Sequence, residues 1–172
     1  MIDKKNMILI GMMGSGKSTI GRIIARKIGF NFVDTDKEIE EMEHCTIKRI
    51  FDTKGEKYFR QLEEMVTLKT LKKKNYIISL GGGGFLNKNI RKESIRNADT
   101  FWLNWKNETL INRLSKSEKR PKILNLSRKE LNQMIKIRSF IYKNAKYKID
   151  CEGLNKEQII KKILNYYENK KN

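Results

Sequence analysis

Cysteine, histidine and proline are almost missing from this chain. Its 172 residues hold two cysteines, one histidine and one proline. Cys45 and Cys151 stand far apart, and neither belongs to a Cys-x-x-Cys pair, which excludes a disulfide framework or a thiolate metal site. The lone His44 has no partner at ligand spacing and reads as a surface or helix-end residue. No apolar run approaches the roughly 18 residues of a membrane span. The N-terminus lacks the apolar core and cleavage site of a signal peptide, so the chain is expected in the cytoplasm, away from membranes. Repeats and low-complexity stretches are absent. Acidic residues are also scarce, 20 against 38 basic ones, for a net charge of +18. That charge would suit nucleic acid or another anionic surface. The lysines are spread along the chain, however, and aromatics do not interleave with the few that cluster, such as Lys72-Lys73-Lys74. An anion-binding enzyme with no nucleic-acid partner fits better.

What the chain does have is Gly11-Met12-Met13-Gly14-Ser15-Gly16-Lys17-Ser18-Thr19. The apolar run Met7–Ile10 precedes it, and Ile20, Ile23, Ile24 and Ile28 follow at helical spacing. Strand, glycine-rich loop and helix form the setting of a phosphate-binding loop. Glycines let the backbone curl and turn its N–H groups inward on an anion. The helix that follows aims its positive end at the same point. Gly14, Ser15, Gly16, Lys17, Ser18 and Thr19 are therefore nucleotide-binding candidates, with Lys17 on the β- and γ-phosphates and Ser18 on Mg²⁺.

Further segments alternate in type. Short strands are expected at 32–33, where Phe32-Val33 should be buried, and at 76–80, 101–103 and 147–151, with helices between and after them. Gly29 suits a helix C-cap, and Gly55 interrupts the helical pattern of 47–73. The expected fold is a three-layer α/β/α sandwich with a five-stranded parallel sheet, of the P-loop NTPase and nucleoside monophosphate kinase type, in a single domain over 1–172. Ligands in such folds sit at the carboxyl ends of the strands. Those ends carry the phosphate loop, Asp34-Thr35-Asp36 and Gly81–Gly84. If strand geometry persists, Asp34 and Asp36 point the same way. One can serve Mg²⁺ through water, the other can accept a proton from a substrate hydroxyl, and either can instead cap the next helix. Residues 115–127 lose periodicity, hold the only proline, Pro121, and read as a surface loop or a mobile basic lid. Trp102 and Trp105 read as packing residues. From the residues alone, the chain is a nucleotide-dependent phosphoryl transferase or hydrolase whose acceptor is open.

Several motifs in order resemble the shikimate kinase family from about residue 7 to 166. They are the phosphate loop, Asp34-Thr35-Asp36, Gly55-Glu56, Phe59-Arg60-Gln61-Leu62-Glu63, Ser79-Leu80-Gly81-Gly82-Gly83, Arg120-Pro121, and Arg138 with Tyr142. The resemblance implies transfer of the ATP γ-phosphoryl group to the 3-hydroxyl of shikimate, in aromatic amino-acid biosynthesis. It implies Asp36, Lys17 and Arg120 as catalytic residues. Asp36, Arg60, Gly82 and Arg138 would bind shikimate, within a helical region over 35–62 and beyond it. Arg113 and Arg120 would join the nucleotide site. One Mg²⁺ would lie on Ser18, with Asp34 and Ser79 in its outer shell. ATP and shikimate would be the partners of a monomer. Phe140 stands where the family often has proline, and Lys122-Ile123 where it has two leucines. The alternatives are another small-molecule kinase of gluconate or nucleotide type, and a basic nucleic-acid-binding NTPase.

Overall fold

The computed structural model describes residues 5–115 and 126–168. In chain order the elements are β1 (Asn6–Ile10), α1 (Lys17–Ile28), β2 (Asn31–Asp34), α2 (Thr35–Glu43), α3 (Ile47–Leu71), β3 (Tyr76–Ser79), a 3-10 turn (Gly84–Leu86) and α4 (Lys88–Asn97). They continue with β4 (Ala98–Asn104), α5 (Asn107–Ser115), α6 (Arg128–Tyr142), β5 (Tyr147–Asp150) and α7 (Lys156–Glu168). The five strands form one sheet in the order β2-β3-β1-β4-β5, and every neighbouring pair is parallel.

The central strand shows why the sheet is covered on both faces. Every residue of β1 is buried, as the unbroken apolar run Met7–Ile10 requires in a parallel sheet. Side chains alternate between faces. Ile8 and Ile10 join Ile78, Leu80 and Trp102 beneath α4, α5 and α6. Met7 and Leu9 join Ile77, Phe101 and Leu103 beneath α1 and α7. These two cores are the outer seams of an α/β/α sandwich. A third, smaller cluster of Ile39, Ile50, Phe59, Leu62 and Val66 ties α2 to α3 away from the sheet.

Two local expectations change, and the break at Gly55 holds. The strand at Phe32-Val33 was expected to be buried; β2 is an edge strand and is only half-covered. Strand geometry does not persist to Asp36, because α2 begins at Thr35. The helix expected to end near Lys73 runs from Ile47 to Leu71, with Gly55 (φ 80°, ψ 169°) as a non-helical break inside it. His44 closes α2 in the left-handed region (φ 52°), a helix-end position.

Candidate active site

The phosphate loop leaves β1 at Gly11 and enters α1 at Lys17. Gly14 (φ 74°) and Gly16 (φ 91°) take left-handed conformations, which glycine adopts without steric cost. Lys17 is 8% exposed, and its ammonium donates to the carbonyls of Gly11 (2.8 Å) and Met12 (2.9 Å). The loop thus fixes its own cation beside the cradle.

At the start of α1 the Ser18 hydroxyl donates to Asp34 Oδ2 and lies 3.2 Å from the Ser79 hydroxyl. Asp34 also caps α2, its Oδ1 accepting from the backbone N–H groups of Asp36 (3.2 Å) and Lys37 (3.5 Å). Capping and service to the phosphate loop therefore coexist, one carboxylate oxygen for each. The Ser18, Asp34 and Ser79 oxygens are hard donors of the type that suits Mg²⁺. Among the described residues no group of three His, Cys, Asp or Glu side chains could hold a metal. One hydroxyl backed by one carboxylate fits Mg²⁺, which keeps several waters and takes phosphate oxygens.

The opposite wall is the glycine run after β3. A Cβ on Gly81 would fall 2.5 Å from Asp36 Oδ1 and 2.8 Å from Glu63 Oε1. On Gly82 it would fall 3.5 Å from an Arg138 nitrogen, and on Gly83 2.5 Å from an Arg60 nitrogen. Three successive glycines therefore bring Asp36, Arg138 and Arg60 against one short stretch of backbone. Thr35, fully buried, locks this arrangement: its hydroxyl donates to the Ser79 carbonyl (3.3 Å) and accepts from the Gly81 N–H (2.9 Å).

Arg60 projects from α3, past the Gly55 break. It donates to Glu63 (2.7 Å) and to Glu56 (3.1 Å). Burial works against its charge, but the Glu63 carboxylate, helped by its hydrogen bond and those of Glu56, outweighs this and raises the Arg60 pKa. Glu63 is only 1% exposed, so its own charge depends on such company. Arg138 and Tyr142 lie one turn apart on α6, which starts at a capping box formed by Ser127 and Glu130. Arg138 Nη1 lies 3.4 Å from the Gly82 carbonyl, and the Tyr142 hydroxyl donates to that same oxygen. Burial, partly offset by Arg138, pushes the Tyr142 hydroxyl up to about 12.

A cleft of about 350 Å³ runs between the two walls, lined by Lys17, Ser18, Asp34, Asp36, Ser79 and Gly82 among others. Arg113 stands beside the phosphate loop, donating to the Gly14 carbonyl (3.2 Å). Arg120 and most of the expected lid lie outside the described residues. Thr35 had no assigned role in the sequence reading, while Glu63 and Tyr142 appeared there only as letters of a motif. Thr35 and Tyr142 reach partners in other elements, which no local spacing announces, whereas Glu63 pairs with Arg60 one turn away on the same helix.

Fold and site together define an ATP-dependent phosphotransferase of the P-loop type. Residues 13–168 match the sequence profile described as shikimate kinase, and the chain belongs to the shikimate kinase family. The shikimate kinase of Persephonella marina is 43% identical over 161 residues, which is 93% of this chain and 97% of that one. The solved shikimate kinase from Acinetobacter baumannii, in complex with shikimate, has a TM-score of 0.90 at 30% identity, covering 97% of this chain and 94% of that one. The shikimate kinase from Aquifex aeolicus has a TM-score of 0.86 at 34% identity, covering 95% and 96%.

Proposed function

We propose that the chain transfers the γ-phosphoryl group of ATP to the 3-hydroxyl of shikimate, giving shikimate 3-phosphate and ADP. One observation carries the reading. Asp36, Arg138 and Arg60 meet the adjacent glycines 81, 82 and 83, across the cleft from the phosphate loop. Two planar guanidiniums suit a carboxylate, and a carboxylate base beside them suits a hydroxyl.

The nucleotide binds along Gly14–Thr19 with its base toward Arg113. Ser18, backed by Asp34 and Ser79, would hold Mg²⁺, which would supply neutralisation of phosphate charge. Lys17 offsets charge on the transferring group. Arg120 does the same from the lid over residues 115–127, a role that rests on resemblance alone. Arg60 and Arg138 grip the substrate carboxylate, with Glu63 holding the Arg60 fork in place. The Gly82 backbone approaches the ring closely, and Asp36 takes the proton of the attacking hydroxyl. Positioning and electrostatics account for most of the catalysis in such transfers. Among the described residues no helix is long and apolar enough to cross a membrane.

The test is ADP release in a coupled assay with shikimate, gluconate or a nucleoside monophosphate as acceptor. Shikimate should be the preferred acceptor. Preference for gluconate or a nucleotide would overturn the reading.

A further inference from the structure

The loop after β4 contributes a tryptophan that no expectation placed at the site. Trp105 follows Asn104, the last residue of β4, and is half-buried. Its indole N–H donates to the Ser15 carbonyl at 3.0 Å. The guanidinium carbon of Arg113 sits 3.8 Å from the centre of the Trp105 ring, and Arg113 Nη1 donates to the Gly14 carbonyl. One side of the phosphate loop is thus gripped by a stacked pair, indole below and guanidinium above.

A peptide's carbonyl and the N–H it is bonded to point in opposite directions. Holding the Ser15 carbonyl against Trp105 therefore turns the Gly16 N–H away from Trp105. With Lys17 on the Gly11 and Met12 carbonyls, four carbonyls of the loop have donors at fixed positions. That leaves the loop little freedom to flip its peptides. The same ring lies against the Arg113 guanidinium and so restricts how that group can turn.

We infer that Trp105 is a positioning residue of the nucleotide site, coupling the orientation of the Ser15–Gly16 peptide to that of Arg113. The inference rests on the assignment of Gly14–Thr19 and Arg113 to the nucleotide, not on the identity of the acceptor.

Trp105→Phe keeps a ring beneath Arg113 and removes the N–H. Removing one hydrogen bond that orders the site should raise the ATP KM and the ADP Kd by about three- to ten-fold, with the shikimate KM changed less than two-fold. In the Trp105→Leu, Arg113→Ala double variant the loss should be smaller than the product of the single losses, since the two residues act as a unit. ADP titration should change indole emission in the wild type, and the change should be absent from Trp105→Phe, which retains Trp102. Trp105 also packs against both sheet cores, so thermal unfolding of each variant accompanies the kinetics. A lowered Tm with ATP KM and ADP Kd unchanged would overturn the inference, as would equal rises in ATP and shikimate KM, or strictly multiplicative losses. Calorimetric ADP binding needs no acceptor. Failure to phosphorylate shikimate would therefore sink the proposed function while leaving this inference readable.

Discussion

The glycines after β1 and the glycines after β3 face each other across the cleft but differ in geometry. Gly11, Gly14 and Gly16 all have positive φ, from 74° to 150°. Added Cβ atoms at Gly14 and Gly16 would meet nothing closer than 3.5 Å. Glycine is needed there for its backbone. None of Gly81, Gly82, Gly83 and Gly84 has positive φ. At Gly81, Gly83 and Gly84 a Cβ would strike Asp36, Arg60 and Leu80 atoms at 2.5 to 2.8 Å. Glycine is needed there for its missing volume. The first loop shapes main chain around an anion; the second clears room for charged side chains. On the proposed assignment the nucleotide and the acceptor are handled by different physics, and substitutions should separate them.

The largest separation is expected at Asp36. Asp36→Asn should lower turnover by roughly 10²–10⁴-fold while leaving ATP affinity nearly intact, if the carboxylate is the base. Steady-state kinetics with calorimetric ATP binding checks this, and near-normal turnover removes Asp36 from that role. Next comes Arg60→Ala. Loss of a charge-assisted pair to a carboxylate should raise the shikimate KM by about 10- to 100-fold, against little change for ATP. Equal effects on both substrates would contradict the clamp.

Alanine placed in each loop tests the contrast itself. Gly83→Ala should displace the Arg60 guanidinium and raise the shikimate KM by about ten-fold. Gly14→Ala should strain the backbone and raise the ATP KM by a similar factor. If both variants affected the same substrate, the division between the loops would fail.

The smallest effect is expected at Tyr142. Tyr142→Phe removes one hydrogen bond to the Gly82 carbonyl, at a cost of about 1 kcal/mol in unfolding free energy. The hydroxyl also carries a pH signature. Its folded pKa of about 12 lies above the ordinary 10. Its contribution is therefore complete below pH 10 and is lost as pH rises toward 12, because only the unfolded chain releases the proton there. Denaturant unfolding at the two ends of that window should show a steeper loss for the wild type than for Tyr142→Phe.

What could be read from the sequence follows the range of the forces involved. The phosphate loop is local: strand, glycines, Lys17 and helix lie within a few turns of chain, so pattern alone exposed it. The alternation of Met7 and Leu9 with Ile8 and Ile10 between two cores was likewise implicit in a parallel sheet. Sheet order is not local, and the half-exposure of β2 follows from its edge position, which periodicity does not encode. The Asp34-Thr35-Asp36 step stayed open between strand and cap for a related reason. A residue that can both end a strand and cap a helix leaves the boundary to tertiary packing, and here α2 begins at once. Residue types alone left Arg60 and Arg138 indistinguishable from surface arginines, and only the family resemblance singled them out. Thr35 and Tyr142 reach partners 46 and 60 residues away, a separation at which spacing carries no signal.

The small apolar cluster between α2 and α3 has a dynamic consequence. Its five buried residues remove little surface from water compared with the two cores on the sheet. Local opening free energy scales with such burial. α2 and the N-terminal half of α3, through about Arg60, are therefore expected to open as a unit below the cost of global unfolding, while the C-terminal half of α3 is tied to the larger core by Leu71. Amides of α2 and of that first half of α3 should exchange with solvent through that opening while β1, β3 and β4 stay protected. The side of the cleft proposed for the acceptor is then the side whose population should shift, and a ligand that bridges Asp36 and Arg60 should be recorded as slowed exchange across both segments.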